Sequence, residues 1–197
     1  MKKATIFILA LTLSFTVACK GEKKETETTT ESDVEKTEVQ SETTTSEAKH
    51  VSVSLESKSN STVTGTVHFT QEGNIVTMVA TISGLSEGTH AIHLHEKADC
   101  SSDDGTSSGG HWNPTAQPHG KWGAAEGFHK GDIGNFEADA DGNGSITFTS
   151  DQWCIGCGDD TKDILGKAII VHEGTDDFTS QPSGAAGTRV SCGGVIE

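Results

Sequence analysis

Seven side chains in this sequence have the types and spacing of metal ligands: His93, His95, His111, His119, His129, Asp132 and His172. They stand in GTHAIHLHE, GGHWNP, QPHG, FHKGD and IIVHEG, where apolar runs alternate with glycine-rich stretches. Six imidazoles and one carboxylate exceed the shell of one four-coordinate ion but suit two neighbouring ions. An imidazole facing both ions could use both of its ring nitrogens. His93 and His95 are two apart in HLH, so on a strand both leave the same face while Ile92 and Leu94 point to the other. His172 closes another apolar run, IIV. Three imidazoles on a β scaffold make a rigid, nitrogen-rich site that suits copper. His111, His119, His129 and Asp132 are spaced 8, 10 and 3 apart, a loop spacing. Three imidazoles and a carboxylate fill a tetrahedral zinc shell with no position open to water. His50 and His68 have no partners in this pattern and read as ordinary strand residues. His90, at the start of the HAIHLH run, reads as a structural hydrogen-bonding residue.

The elements that must position these ligands are strands. HVSVSLES, STVTGTVHFTQ and NIVTMVATIS alternate apolar and polar residues, and HAIHLHE, NFEADA, GSITFTS, KAIIVHE and TRVSCGGVI follow. Asp141-Gly142-Asn143-Gly144 is a hairpin turn signal. No long window has a helical period, and residues 162–165 offer one turn at most. Eight short strands with glycine-rich connections predict an all-β fold, a β-sandwich or flattened barrel. Two stretches, 96–134 and 174–187, are too long and glycine-rich to be strands. The first holds four of the seven ligands, so metal would organise a loop that the sequence alone could not hold.

The rest of the chain frames this domain. Residues 1–19 begin with Met1-Lys2-Lys3, continue in a short apolar run and end in Thr16-Val17-Ala18-Cys19, an export signal rather than a spanning helix. Its end resembles a bacterial lipoprotein box, which implies that Cys19 is lipidated and holds the chain to a membrane surface. Residues 20–48 carry nine acidic side chains, four lysines and two valines as their only large apolar residues, the composition of a disordered acidic tether. Residues 49–197 suit one domain and hold 20 acidic against 8 basic side chains, a balance that argues against nucleic acid and against electrostatic docking to anionic lipid. Export permits disulfides. Four cysteines allow three pairings, among them a local one across Cys154-Ile155-Gly156-Cys157 that leaves Cys100 and Cys192 as a distant pair. The CIGC motif could also hold reduced thiols or serve an accessory metal or redox role. No βαβ pattern surrounds it, so a thioredoxin-like reading is weak.

Taken together, GTHAIHLHEKADC, GGHWNP, HKGDIGNF, GKAIIVHEGTDDF and GAAGTRVSCGGVI resemble copper/zinc superoxide dismutase of the bacterial exported type, over nearly all of residues 50–197. The resemblance implies an eight-stranded Greek-key fold with two long loops, one copper ion and one zinc ion per subunit. Copper would be held by His93, His95, His111 and His172. Zinc would be held by His111, His119, His129 and Asp132, with His111 as the bridge. Asp176 would link a copper histidine to a zinc histidine, and Cys100–Cys192 would form the family disulfide. Arg189 would stand beside the copper and attract superoxide, which is dismuted to oxygen and hydrogen peroxide. The loop before Arg189 has no lysine, so steering would rest on Arg189 with Lys121 or Lys130 as helpers. The expected place is the periplasmic side of an envelope membrane or the cell surface, as a monomer or homodimer. The alternative function is a surface copper/zinc binding or delivery protein.

Overall fold

A computed structural model describes residues 47–197. The expected leader (1–19) with Cys19, and the tether through residue 46, lie outside the described residues. Eight strands follow in order: β1 (Lys49–Ser57), β2 (Thr64–Glu72), β3 (Ile75–Ser83), β4 (Gly88–His95), β5 (Gly134–Ala138), β6 (Gly144–Ser150), β7 (Ala168–His172) and β8 (Arg189–Gly194). They pair antiparallel into a closed barrel ordered β1-β2-β3-β6-β5-β4-β7-β8. The reversal of β4, β5 and β6 in that order makes the Greek key. The β3–β4 and β6–β7 connections each cross the barrel, and pairing of β1 with β8 at Glu56 and Ser57 closes it.

The alternation read in the sequence is what closes the barrel. Val51, Val53 and Leu55 alternate with exposed residues on β1, and Val76, Met78, Ala80 and Ile82 do so on β3. Register places Val51 opposite Phe69 and Phe69 opposite Met78, so successive strands deliver their apolar side chains to one interior. Burying each such side chain stabilises the fold by about 1.5–3 kcal/mol. The β5–β6 hairpin turns earlier than the DGNG signal implied. Asp139 Oδ1 accepts the backbone N–H groups of Asp141 (3.0 Å) and Asn143 (2.8 Å), an Asx-type turn that takes over from a two-residue one.

Strands β4, β7 and β8 differ from the others because both their faces are buried. Ile92, Leu94, Ile169 and Val171 belong to the interior core, whereas Ala168, Ile170 and Cys192 pack together in a second cluster with Cys100. The cover on the outer face is the β4–β5 connection, residues 96–133, which contains one turn of 3-10 helix at Thr106–Ser108. Cys100–Cys192 ties this connection to β8 across 92 residues, and loop entropy alone makes such a bridge worth about 4–5 kcal/mol. Cys154–Cys157 closes only three residues, worth about 2 kcal/mol on the same basis. No helix forms at residues 162–165, where Asp159 O instead accepts the N–H groups of Lys162 and Asp163 (2.8 Å each) in a tight turn.

Candidate metal centre

The outer face of β4 and β7 is where the predicted ligands meet. His93 and His95 alternate with Ile92 and Leu94 along β4, and β7 pairs alongside with Ile170 opposite His93 and Ala168 opposite His95. His172 ends β7. His111 arrives from the loop by backbone pairing: it forms an antiparallel bridge with His95, and Glu96 N–H donates to Gly110 O (3.0 Å). The loop then returns to the same strand end. Trp112 N–H donates to Leu94 O (2.8 Å), Leu94 N–H to Gly131 O (3.0 Å) and Gly131 N–H to Trp112 O (2.9 Å). Only glycine fits at 131, because a Cβ there would lie 2.1 Å from Leu94 O. This stitching brings His111 and Asp132 together.

Two donor groups result. His93, His95, His111 and His172 form one and His111, His119, His129 and Asp132 the other, each with its donor atoms within 4.8 Å of one another and all of them buried. In every imidazole of the first group one nitrogen is anchored. His93 Nε2 donates to Asp176 Oδ2 (2.9 Å), His95 Nδ1 to Gly109 O (2.9 Å), His111 Nδ1 to Asp132 Oδ1 (2.8 Å) and His172 Nδ1 to Gly187 O (3.3 Å). The other nitrogens, His93 Nδ1, His95 Nε2, His111 Nε2 and His172 Nε2, are buried with no hydrogen-bond partner. Buried polar atoms are rarely left unpaired, and four at one point are a donor set that fits a cation. In the second group the nitrogens converge on one oxygen. Asp132 Oδ1 lies 2.8 Å from His111 Nδ1, 3.0 Å from His119 Nδ1 and 3.3 Å from His129 Nδ1. Donors about 2.0–2.1 Å from a tetrahedral zinc stand about 3.3 Å apart, so these separations fit that ion.

Electrostatics separate the two groups. Burial holds His93, His95 and His172 below the ordinary imidazole range, and neighbouring imidazoles push the last two lower still. Burial lowers His111 to about 4 despite Asp132 beside it. The first group is therefore neutral at neutral pH, with lone pairs available to a metal. For His119 burial acts the same way but loses to Asp132 and Asp176, which raise it to about 9. Burial would likewise raise Asp132, yet hydrogen bonds from His111, His119 and His129 hold it well below the carboxylate range.

Asp176 connects the groups: Oδ2 accepts from His93 Nε2 and Oδ1 from His119 Nε2, both at 2.9 Å. Residues that sequence reasoning missed hold it there. Asn135 of β5 accepts Asp176 N–H and donates to Asp176 O, each at 2.8 Å. Gly184 (φ 69°) passes so close that a Cβ would lie 1.8 Å from Asp176 Oδ1. Gln181 embraces His119, its Oε1 accepting His119 N–H and its Nε2 donating to His119 O, both at 2.9 Å. No spacing rule flags these residues, and the backbone carbonyls of Gly109 and Gly187 carry no sequence signal at all. His90 is buried, and its Nδ1 donates to His172 O (3.0 Å) while Nε2 lies 2.9 Å from Ser86 O, a structural role.

Arg189, the sole arginine of the chain, reaches this face through a bulge. The ladder pairs Val171 with Ser191 and then His172 with Arg189, leaving Val190 as an extra residue on β8. Residues opposite one another in an antiparallel ladder share a face, so the extra residue turns Arg189 to the side of His172. Its Nη1 donates to Gly105 O (2.9 Å) and Ser108 Oγ (3.1 Å), which fixes the guanidinium. It lines a cavity of about 350 Å³ together with His95, His111 and His172. Lys121 and Lys130, the expected helpers, do not line this cavity. Lys121 lines a separate hollow beside Pro118, and Lys130 pairs with Gln152. Among the described residues Arg189 is the only permanent cation lining this cavity, and Glu96 is its carboxylate.

The family model described as copper/zinc superoxide dismutase matches residues 63–196. The extracellular superoxide dismutase [Cu-Zn] of Caenorhabditis elegans is 36% identical over 141 residues, covering 68% of this chain. The match spans 62% of that relative's own length. Among solved structures, a double mutant of a SOD-like protein from Bacillus subtilis superposes with a TM-score of 0.65 at 31% identity, covering 74% of this chain and 97% of that one. A single mutant of the SOD-like protein superposes with the same TM-score and coverage at 30% identity.

Proposed function

Because this chain belongs to the copper/zinc superoxide dismutase family, we propose that it dismutes superoxide to oxygen and hydrogen peroxide with one copper and one zinc ion. The observation that carries this reading is His111, whose Nε2 faces His93, His95 and His172 while its Nδ1 faces His119, His129 and Asp132. His93 Nδ1 with His95, His111 and His172 Nε2 would hold copper. His111, His119 and His129 Nδ1 with Asp132 Oδ1 would hold zinc. Copper, when bound, supplies reversible one-electron exchange with superoxide, and zinc supplies a fixed charge that orders the loop.

The chain's own residues do the rest. Arg189 attracts the anion into the cavity against a chain charge of −15 and orients it beside the histidines. The guanidinium is held by two hydrogen bonds before substrate arrives, so little ordering is needed on binding. His111 Nε2 would carry a proton to the reduced substrate while Nδ1 keeps its place among the donors of His119, His129 and Asp132. The carbonyls of Gly109 and Gly187 hold Nδ1 of His95 and His172, which would leave Nε2 of each free to bind copper. A protein that only bound or delivered metals would need the same ligands but no oriented cation, so the bulge at Val190 favours the enzyme over that alternative.

The two disulfides and the extracellular relative accord with an exported protein. We propose further that lipidated Cys19 and the acidic tether hold the domain near a membrane, on its periplasmic side or at the cell surface. Superoxide consumption by the chain loaded with both metals tests the activity. Rapid consumption that falls about tenfold or more in Arg189→Ala at low salt is expected. A fully loaded protein that consumes none would end the enzyme reading.

A further inference from the structure

The β6–β7 connection carries a pair of sulfurs that dismutation does not use. Cys154 and Cys157 are disulfide-bonded across three residues. Cys154 is 7% exposed, whereas Cys157 lies open to solvent. The bond adds little to a loop already held by other means. Asp163 Oδ1 accepts the N–H groups of Gly156 (2.9 Å) and Leu165 (3.1 Å), and Oδ2 accepts that of Gly158 (3.0 Å). Cys154 N–H donates to Lys162 O (2.9 Å), and Ile164 N–H donates to Cys154 O (3.0 Å). Buried Ile155 donates to Gln71 Oε1 (2.7 Å) and accepts from Lys49 Nζ (2.6 Å). None of these contacts needs the sulfurs joined. Cys100–Cys192 is the opposite case, with Cys192 fully buried and the bridge spanning 92 residues.

Access is equally uneven. A side chain built on Gly158 would meet nothing within 4 Å, and one built on Gly156 would meet only Leu165 at 3.4 Å and Glu197 at 3.7 Å. An incoming sulfur therefore finds open space on the Gly158 side of Cys157. We propose that Cys154–Cys157 is a thiol–disulfide exchange site, taking two electrons from an external dithiol and returning them to an external disulfide while the barrel stays folded. In the forward direction a thiolate of the dithiol attacks Cys157 Sγ, the Cys154–Cys157 bond breaks, and Cys154 Sγ leaves with the electron pair and takes a proton. The second sulfur of the dithiol then attacks the mixed disulfide and frees Cys157 as a thiol. The external dithiol ends as a disulfide, and Cys154 and Cys157 hold its two electrons and two protons. Asp159, Asp160, Asp163 and Glu197 surround the site in sequence or space, so the matching partner is neutral or cationic.

The full chain, loaded with both metals, is treated with dithiothreitol without denaturant, and free thiols are alkylated and mapped. Cys154 and Cys157 should be labelled at least tenfold faster than Cys100 and Cys192, with the thermal midpoint changed by a few degrees and the bond restored by oxidised dithiothreitol. In a second measurement Cys154→Ser, which leaves the open sulfur, should form a mixed disulfide with cationic cystamine at least tenfold faster than Cys157→Ser, which leaves the buried one. Oxidised glutathione, an anion, should react with Cys154→Ser more slowly than cystamine at low salt. Opening of both bridges together, opening only with global unfolding, or equal rates for the two serine variants would overturn the proposal.

Discussion

The two donor groups share His111 but are built by different means. His93, His95 and His172 stand on paired strands, and their positions follow from ladder register around an apolar core. His119, His129 and Asp132 stand in a connection with little regular structure, held by Gly131 at β4, by Gln181 and by convergence on one carboxylate oxygen. The first group is placed by the fold, and burial keeps it neutral. The second contains His119, raised above the ordinary imidazole range, so without a cation Asp132 relies on that ring's proton. The loop group should therefore depend on metal for order, and the strand group should not.

The strongest way to break this comparison is Gly131→Ala. Its Cβ would meet main-chain Leu94 O, which cannot give way without disturbing β4. Denaturant unfolding of the metal-loaded protein should show a loss of about 4 kcal/mol, in the class of severe backbone clashes. A wild-type midpoint would mean that the loop docks differently.

Next in size is the pH dependence of the metal-free protein. His93, His95, His111 and His172 have folded values below the ordinary 6.5, so the unfolded chain binds more protons below that pH. Their contribution is complete above about 6.5 and is lost as pH falls towards 4. His119 works in the other direction, contributing fully below 6.5 and losing its part as pH rises through 9. Thermal midpoints should peak near neutrality and fall more steeply on the acid side, four groups acting against one. A midpoint that rises on acidification would refute the assignment of the strand histidines as neutral.

Asp176→Ala sharpens the comparison from inside. It removes an anchor from one imidazole of each group, but His93 remains on β4 while His119 has only its loop. Zinc affinity should fall about 10–100-fold, with a smaller loss for copper. Competition with a chelator for each metal separates the two, and equal losses would erase the distinction. Gln181→Ala should have the smallest effect, about 1–2 kcal/mol for two hydrogen bonds to His119. It should appear as faster zinc release with copper retention unchanged.

The same division explains what could be read from the sequence. The eight strands were legible because period-2 alternation is a local property, visible in HVSVSLES or NIVTMVATIS without knowing the partners. The residues that come together in the two donor groups were legible from chemistry, since imidazoles and a carboxylate in that number have few other uses. Directions in the loop were not legible. Lys121 and Lys130 sit near His119 and His129 in sequence yet do not line the cavity, because no period governs a loop. Arg189 shows the limit even on a strand. Alternation along RVSCGG puts it on one face with Ser191, and only the extra Val190 against Val171 carries it to the face of His172. Asn135 and Gln181 were missed because they bind main-chain groups, which every sequence has.

The central claim is that one ring, His111, belongs to both groups. It is tested most directly by placing Cu(II) in both sites and recording the electron paramagnetic resonance spectrum. A shared imidazole should couple the two unpaired spins and suppress the ordinary Cu(II) signal, and His111→Ala should abolish the coupling. Two independent, full-intensity Cu(II) signals from the unmodified chain would contradict the account.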